Sequence, residues 1–179
     1  MKKVVAVMGS PRRESRSSQV AEAVIAGIQE GSSIVIEYDI NNIDFSGCKA
    51  CGLCKKEGTD CVIEDDFQDY LEDIKNADIL LLSTPNYFSN IAGPMISFLN
   101  RHYCLIDKDS KPRLPSGKKV FGVFSQGAPE SFTQYETVYE TYMKAFEILG
   151  FENAGHVTIG GDSDIESLVS KAEEIGKNL

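Results

Sequence analysis

Four cysteines fall within fourteen residues, Cys48, Cys51, Cys54 and Cys61, in the spacing C-x2-C-x2-C-x6-C. Iron–sulfur clusters are held by Cys thiolates, and a C-x2-C-x2-C run brings three of them within reach of one cluster. A zinc ribbon sets two C-x2-C pairs a dozen or more residues apart, which this segment does not do. The four are therefore candidate ligands of one [4Fe-4S] centre, with Gly47 and Gly52 letting the backbone wrap closely around it. Such a centre is negatively charged and needs amides or cations beside it. The competing reading is four free or partly oxidised thiols on a loop, because exposed thiols oxidise readily. Cys104 stands apart and reads as a small buried hydrophobe.

Three further segments carry unusual chemistry. Between Gly9 and Ser18 the chain gathers the hydroxyls of Ser10, Ser15, Ser17 and Ser18, three arginines (Arg12, Arg13 and Arg16) and the start of a helix. That set suits a phosphate monoester, which accepts from N–H and O–H donors and gains from the helix dipole. The ordinary alternative is helix-capping serines beside solvated arginines. Neither the dinucleotide fingerprint nor the Walker pattern is present. The segment Ser83 to Pro94 places Tyr87 and Phe88 among Pro85, Asn86, Ser89 and Asn90. This supplies flat apolar contact and polar edge groups for a planar ring, or simply covers the rim of the sheet. Ser125-Gln126-Gly127 reads as a turn that allows close backbone approach. His102 and His156 read as structural, and no nucleophile–base triad is visible.

The elements that position these residues alternate from end to end. Strands are expected at Lys3–Met8, Ile34–Ile40, Ala77–Thr84, Val120–Phe124 and His156–Ile159, from apolar runs closed by turn residues. Helical periodicity falls at Val20–Ile28, after Asp65-Asp66, at Ile91–Tyr103, at Tyr135–Leu149 and at Asp164–Lys177. The sequence predicts an α/β fold, a doubly wound five-stranded parallel sheet with helices on both faces, as one domain over 1–179 with a cysteine-rich excursion at 44–64. Ligands of such sheets sit beyond the carboxyl ends of the strands. The phosphate, ring and third loops all fall there.

At 179 residues, with 42% hydrophobic and 25% charged residues, the chain has the composition of an ordinary globular domain. A net charge of −9 argues against nucleic acid or an anionic membrane surface as a partner. No stretch has the length of a membrane span, and the N-terminus lacks the pattern of a signal peptide. Five cysteines without an export signal point to a reducing cytoplasm.

The G-S-P-R loop with its downstream serines, and T-P-N-Y-F-S-N-I-A-G-P-M-I-S-F-L-N-R (Thr84 to Arg101), resemble the NAD(P)H-dependent FMN reductase group of flavodoxin-like proteins. With the cysteine run leading into C-V-I-E-D-D, the chain most resembles the iron–sulfur flavoprotein family. The resemblance covers nearly the whole chain. It implies a flavodoxin-like fold, FMN and one [4Fe-4S] centre per subunit, in homodimers or homotetramers that bring one subunit's cluster close to a neighbour's flavin. It assigns Ser10, Arg12, Ser15, Ser17 and Ser18 to the phosphate, and Pro85, Asn86, Tyr87, Phe88, Ser89 and Asn90 to the flavin ring. Ser125, Gln126 and Gly127 fall on the third loop, and Cys48, Cys51, Cys54 and Cys61 on the cluster. Three positions depart from the family pattern: Ser15-Arg16-Ser17 stands where G-N-T is frequent, Asn100-Arg101 where Asp-Arg is common, and the last cysteine gap is six residues rather than five.

The chemistry implied is that of an FMN-containing oxidoreductase exchanging electrons between flavin and cluster, with a ferredoxin-like redox protein, NAD(P)H or a quinone as partner. One phosphate loop without a second pyrophosphate motif favours FMN over FAD. One rival is a cluster-free NAD(P)H-dependent FMN or quinone reductase. The other is a flavodoxin-like regulatory binding module.

Overall fold

The computed structural model describes residues 1–179. Its strands are β1 (Lys2–Met8), β2 (Ser33–Asp39), β3 (Ile79–Tyr87), β4 (Asn90–Ile91), β5 (Lys119–Ser125) and β6 (Glu152–Ile159). All but β4 pair in parallel, in the order β2-β1-β3-β5-β6. The order reverses between β1 and β3, which opens a crevice at their carboxyl ends. The helices are α1 (Arg16–Gln29), α2 (Leu53–Glu57), α3 (Phe67–Asn76), α4 (Gly93–Arg101), α5 (Glu136–Ile148) and α6 (Ile165–Asn178).

Successive strand residues point to opposite faces, so a strand covered on both faces is apolar throughout. Val5, Val7, Leu80 and Leu82 pack with Phe67, Phe98 and Phe146 under α3, α4 and α5. Val4, Ala6, Ile79 and Leu81 pack with Val20, Val24 and Ile28 under α1 and α6. Those two helices cross closely at Gly27 and Gly176. A Cβ on Gly176 would lie 2.1 Å from the Val24 carbonyl, and one on Gly27 would lie 2.0 Å from that of Glu173.

The five-stranded parallel sheet with helices on both faces is the one the alternation predicts. The differences lie at its edges. The central strand, expected to end at Thr84, runs on to Tyr87 and folds back through Phe88 and Ser89 to pair with β4, so Pro85, Asn86 and Tyr87 are strand residues. The fifth strand begins at Glu152 rather than His156, which places His156 inside it. The five-residue α2 was not expected, because it presents no apolar periodicity. Asp66 precedes α3 without capping it by its side chain; Asp65 accepts from the Phe67 amide instead. The helix expected to run to Tyr103 ends at Arg101 and passes into a tighter 3-10 turn over His102–Leu105. No helix is long and apolar enough to cross a membrane.

Candidate functional site

The loop after β1 is a small hydroxyl cluster. Ser15 caps α1, its Oγ accepting from the Ser18 amide at 3.1 Å. The same Oγ lies 3.1 Å from Ser17 Oγ and 2.8 Å from Ser18 Oγ. Ser10 Oγ accepts from the Arg12 amide, which turns the loop inward. Ser10, Ser17 and Ser18 are buried, and the Arg12 and Arg13 side chains are exposed. Arg16 behaves otherwise. Its guanidinium donates to the carbonyls of Gly161 and Ser163, so it ties the start of α1 to the loop after β6. The first-turn amides of Arg16 and Ser17 bond to no group of the chain, as is usual for an open helix end.

The neighbouring strands bring the other two loops alongside. Ser83 Oγ donates to the Ser17 carbonyl at 3.0 Å, and Pro85 is paired in register with Ser125. At the hairpin tip Phe88 and Ser89 both adopt left-handed backbone, with φ of 53° and 66°. Phe88 is fully exposed there. A non-glycine residue in this region costs about 1–2 kcal/mol, and such strain gathers at functional sites. The Nδ2 of Asn86 is buried without a hydrogen-bond partner. Gln126 is largely spent on the loop itself: Nε2 donates to the carbonyls of Pro129 and Phe132, and Oε1 accepts from Tyr139. Sequence reasoning missed Phe132 and Tyr135, which stack edge to face after β5. Ser89 Oγ donates to the Tyr135 hydroxyl at 3.4 Å, closing the ring loop from the far side.

The cysteine excursion lies elsewhere. Cys48, Cys51, Cys54 and Cys61 all line one cavity of about 910 Å³, against the last turns of α4 and α5. Helices that cross between parallel strands run back along them, so this is the end of the sheet opposite the three loops. The backbone wraps here through left-handed Ala50 and Gly52, at φ of 52° and 72°. The Ala50 amide donates to Cys48 Sγ at 3.4 Å. No three His, Cys, Asp or Glu side chains gather in the manner of a single-ion site. Lys55 and Arg101 bring positive charge to the cavity wall. Lys55 Nζ lies 3.9 Å over the Tyr103 ring and donates to the carbonyls of Tyr103 and Ile106. Cys104 also lines the wall, with its thiol pushed up to about 11 by burial.

Arg101 is a residue that sequence reasoning does not single out, since the departure from Asp-Arg there is Asn100. It is 1% exposed and paired in a fork with Asp65, at 2.6 and 3.0 Å. Next to it His102 is buried with its pKa lowered to about 4 by burial. Its Nδ1 faces the Phe98 carbonyl at 3.0 Å, and a carbonyl only accepts, so Nδ1 carries the hydrogen. Nε2 therefore accepts from the Tyr70 hydroxyl at 2.6 Å. His156 contacts Glu136 at 2.5 Å. Both histidines serve the packing of helices on the sheet.

The family model for NADPH-dependent FMN reductase matches residues 2–152. The chain belongs to the NADPH-dependent FMN reductase family. It is accordingly an FMN-dependent oxidoreductase, and FMN is its cofactor. Among curated relatives, an iron-sulfur flavoprotein of Archaeoglobus fulgidus is 26% identical over 180 residues, covering 99% of this chain and 78% of that protein. An iron-sulfur flavoprotein of Methanosarcina thermophila is 26% identical over 136 residues, covering 76% and 69%. Among solved structures, an NAD(P)H:quinone oxidoreductase from Methanothermobacter marburgensis superposes with a TM-score of 0.76 at 18% identity, covering 99% and 96%. An FMN-dependent NADH-azoreductase from Bacillus anthracis in complex with FMN gives 0.73 at 15% identity, covering 99% and 97%. These two share the reductase family's fold with this chain.

Proposed function

We propose that this reductase is an electron-transfer flavoprotein that exchanges electrons between FMN and a [4Fe-4S] cluster, acting as one FMN-binding unit over residues 1–179. The observation that carries the reading is the convergence of all four cysteines on one cavity whose wall bears Arg101 and Lys55. Each iron of a four-iron cube takes its own thiolate, so the sulfurs bracket a body rather than meet at a point. Four cysteines lining one cavity, in a C-x2-C-x2-C-x6-C spacing, suit that demand. The amide donated to Cys48 Sγ and the two cations offset the charge such a centre brings.

The FMN end fits in the same way. The unpaired amides of Arg16 and Ser17, beside the hydroxyls of Ser10, Ser15, Ser17 and Ser18, suit one phosphate at a helix N-terminus. Arg12 reaches out beside them. The unpartnered Nδ2 of Asn86 is a donor for a carbonyl or nitrogen at a ring edge. Pro85, Asn86, Tyr87, Phe88, Ser89 and Asn90 are the proposed contacts on one side of the ring, and Ser125, Gln126 and Gly127 those on the other. When bound, FMN accepts a hydride or single electrons, and the cluster passes electrons singly. The protein's part is to bind, orient and shield them.

α4 connects the two sites, starting after the ring loop and ending at the cavity. Its nine residues span roughly 13 Å at 1.5 Å each. Flavin and cluster of one chain therefore stand at opposite ends of a helix. This supports a homo-oligomer that pairs one chain's cluster with another's flavin. Ile148 and Tyr103, exposed at the cavity rim, are suitable contacts. NAD(P)H, a quinone or a ferredoxin-like protein is the proposed exchange partner, in a cytoplasmic setting. The alternative, a cluster-free NAD(P)H-dependent FMN or quinone reductase, draws on the family match alone.

The test is anaerobic reconstitution with iron and sulfide, with flavin release and chromatography on the same sample. The account expects FMN rather than FAD, and a broad absorbance near the flavin bands that bleaches with dithionite. FMN without that absorbance establishes the cluster-free reductase in its place.

A further inference from the structure

Arg101 is the one buried guanidinium at the cysteine cavity, and its bonds are unusually distributed. Nη1 donates to the Ser46 carbonyl at 2.7 Å, two residues before Cys48. Nη2 reaches the Ile63 carbonyl at 3.4 Å, two residues after Cys61. Both nitrogens fork onto Asp65. The guanidinium also lies 4.5 Å over the Phe67 ring. One side chain thus joins the beginning and the end of the excursion to the last turn of α4. Five N–H groups point from a guanidinium, and here the Nε hydrogen is buried with no acceptor. Leaving a charged donor unpaired in the interior is costly. Nε is therefore an orphan in the wall of the cavity the cysteines line.

The charge balance points the same way. The Arg101 guanidinium and the Asp65 carboxylate form an ion pair at 2.6 Å, with the arginine side chain fully buried. Asp65 is held low by the Arg101 hydrogen bonds and the amides of Ser46 and Phe67, despite its own burial. The chain thus keeps a permanent positive charge and its carboxylate partner beside the cysteines.

We propose that Arg101 is the positioning residue of the cysteine set, closing the excursion as a staple and presenting the positive charge that favours the reduced state of the group the thiolates hold, with Asp65 as its counterweight. The proposal rests on the cluster reading. An arginine that served only as a staple would loosen the excursion when replaced, whatever the sign of the charge removed. An electrostatic role makes two predictions of opposite sign. Arg101→Met removes positive charge and shifts the one-electron equilibrium about tenfold towards the oxidised form, a fall of about 59 mV. Asp65→Asn removes the counter-charge and shifts it upward. Arg101→Lys keeps the charge and stays near the wild-type value.

The experiment is an anaerobic dithionite titration of reconstituted wild-type, R101M, R101K and D65N protein, followed at the cluster and flavin bands. Iron content, far-ultraviolet circular dichroism and FMN affinity are measured on each. Opposite shifts at the cluster, with the flavin potential unmoved, support the proposal. Equal potentials, or shifts of the same sign in R101M and D65N, overturn it. If R101M binds FMN but takes up no iron, uptake by R101K supports the role of charge, and its failure there overturns it. Wild-type protein that binds FMN and takes up no iron defeats the cluster reading itself, and the proposal with it.

Discussion

The hairpin tip at Phe88-Ser89 offers a direct test of whether strain is held at the carboxyl edge of the sheet. Two left-handed central residues between Tyr87 and Asn90 form the kind of two-residue turn that Asn-Gly fills without strain. Each ordinary residue there costs about 1–2 kcal/mol. Phe88 is fully exposed, so its removal forfeits no core packing. Replacing the pair by Phe88→Asn with Ser89→Gly loses the long Ser89–Tyr135 bond, worth about 0.5 kcal/mol. The added glycine costs roughly 0.5–1 kcal/mol through the unfolded chain. The remainder is a gain of about 1–2 kcal/mol. In a chain of this size that raises Tm by roughly 2–8 °C. Flavin-free protein is melted by differential scanning calorimetry, and FMN affinity is measured separately. The variant should be more stable and bind flavin less tightly. A Tm that is unchanged or lower refutes the reasoning, because it means the turn is not strained or Phe88 is packed.

Three further outcomes follow from the same geometry. Ser15→Ala removes the α1 cap and should cost about 1 kcal/mol in urea unfolding of the flavin-free protein, with a further loss of FMN affinity seen by fluorescence titration. Gly176→Ala pushes a methyl against the Val24 carbonyl and should destabilise by about 1–3 kcal/mol, with α6 becoming sensitive to proteolysis. Burial lowers the His102 pKa from an ordinary 6.5 to about 4, so the unfolded chain takes up the proton first. Its contribution to stability is complete above about pH 6.5 and is lost as pH falls towards 4, on the order of 3 kcal/mol in all. Urea unfolding at pH 7 and pH 4.5 should show this loss in the wild type and a smaller one in His102→Gln.

Much of the fold was legible because apolar runs such as Val4–Val7 and Ile79–Leu82 admit few other readings once they alternate with helical periods. The ring loop was misjudged at its ends. Pro85 and Asn86 have little strand character of their own, and pairing with β5 and β4 draws them, with Tyr87, into the sheet. α2 was invisible because its five residues are held by the turn at Gly52 and by Lys55 rather than by an apolar face. At the site, hydroxyls and cysteines announced themselves by type and spacing. Arg16 and Arg101 did not, since nothing local distinguishes an arginine that points to solvent from one that bonds Gly161 or Asp65 far along the chain. The relation of the two sites was equally hidden. Sequence puts the cysteines between β2 and α3, yet only the packed excursion carries them to the far end of α4.

On the proposed function, one chain carries both FMN and a four-iron centre on Cys48, Cys51, Cys54 and Cys61. The most direct measurement is iron, acid-labile sulfide and FMN determined together on protein purified under strict anaerobiosis. The account predicts about four irons, about four sulfides and about one FMN per chain, on the composition of a [4Fe-4S] centre. It also predicts that the iron and sulfide, but not the FMN, are lost in Cys54→Ser. FMN at full occupancy, with iron and sulfide no higher in the wild type than in that variant, would contradict it.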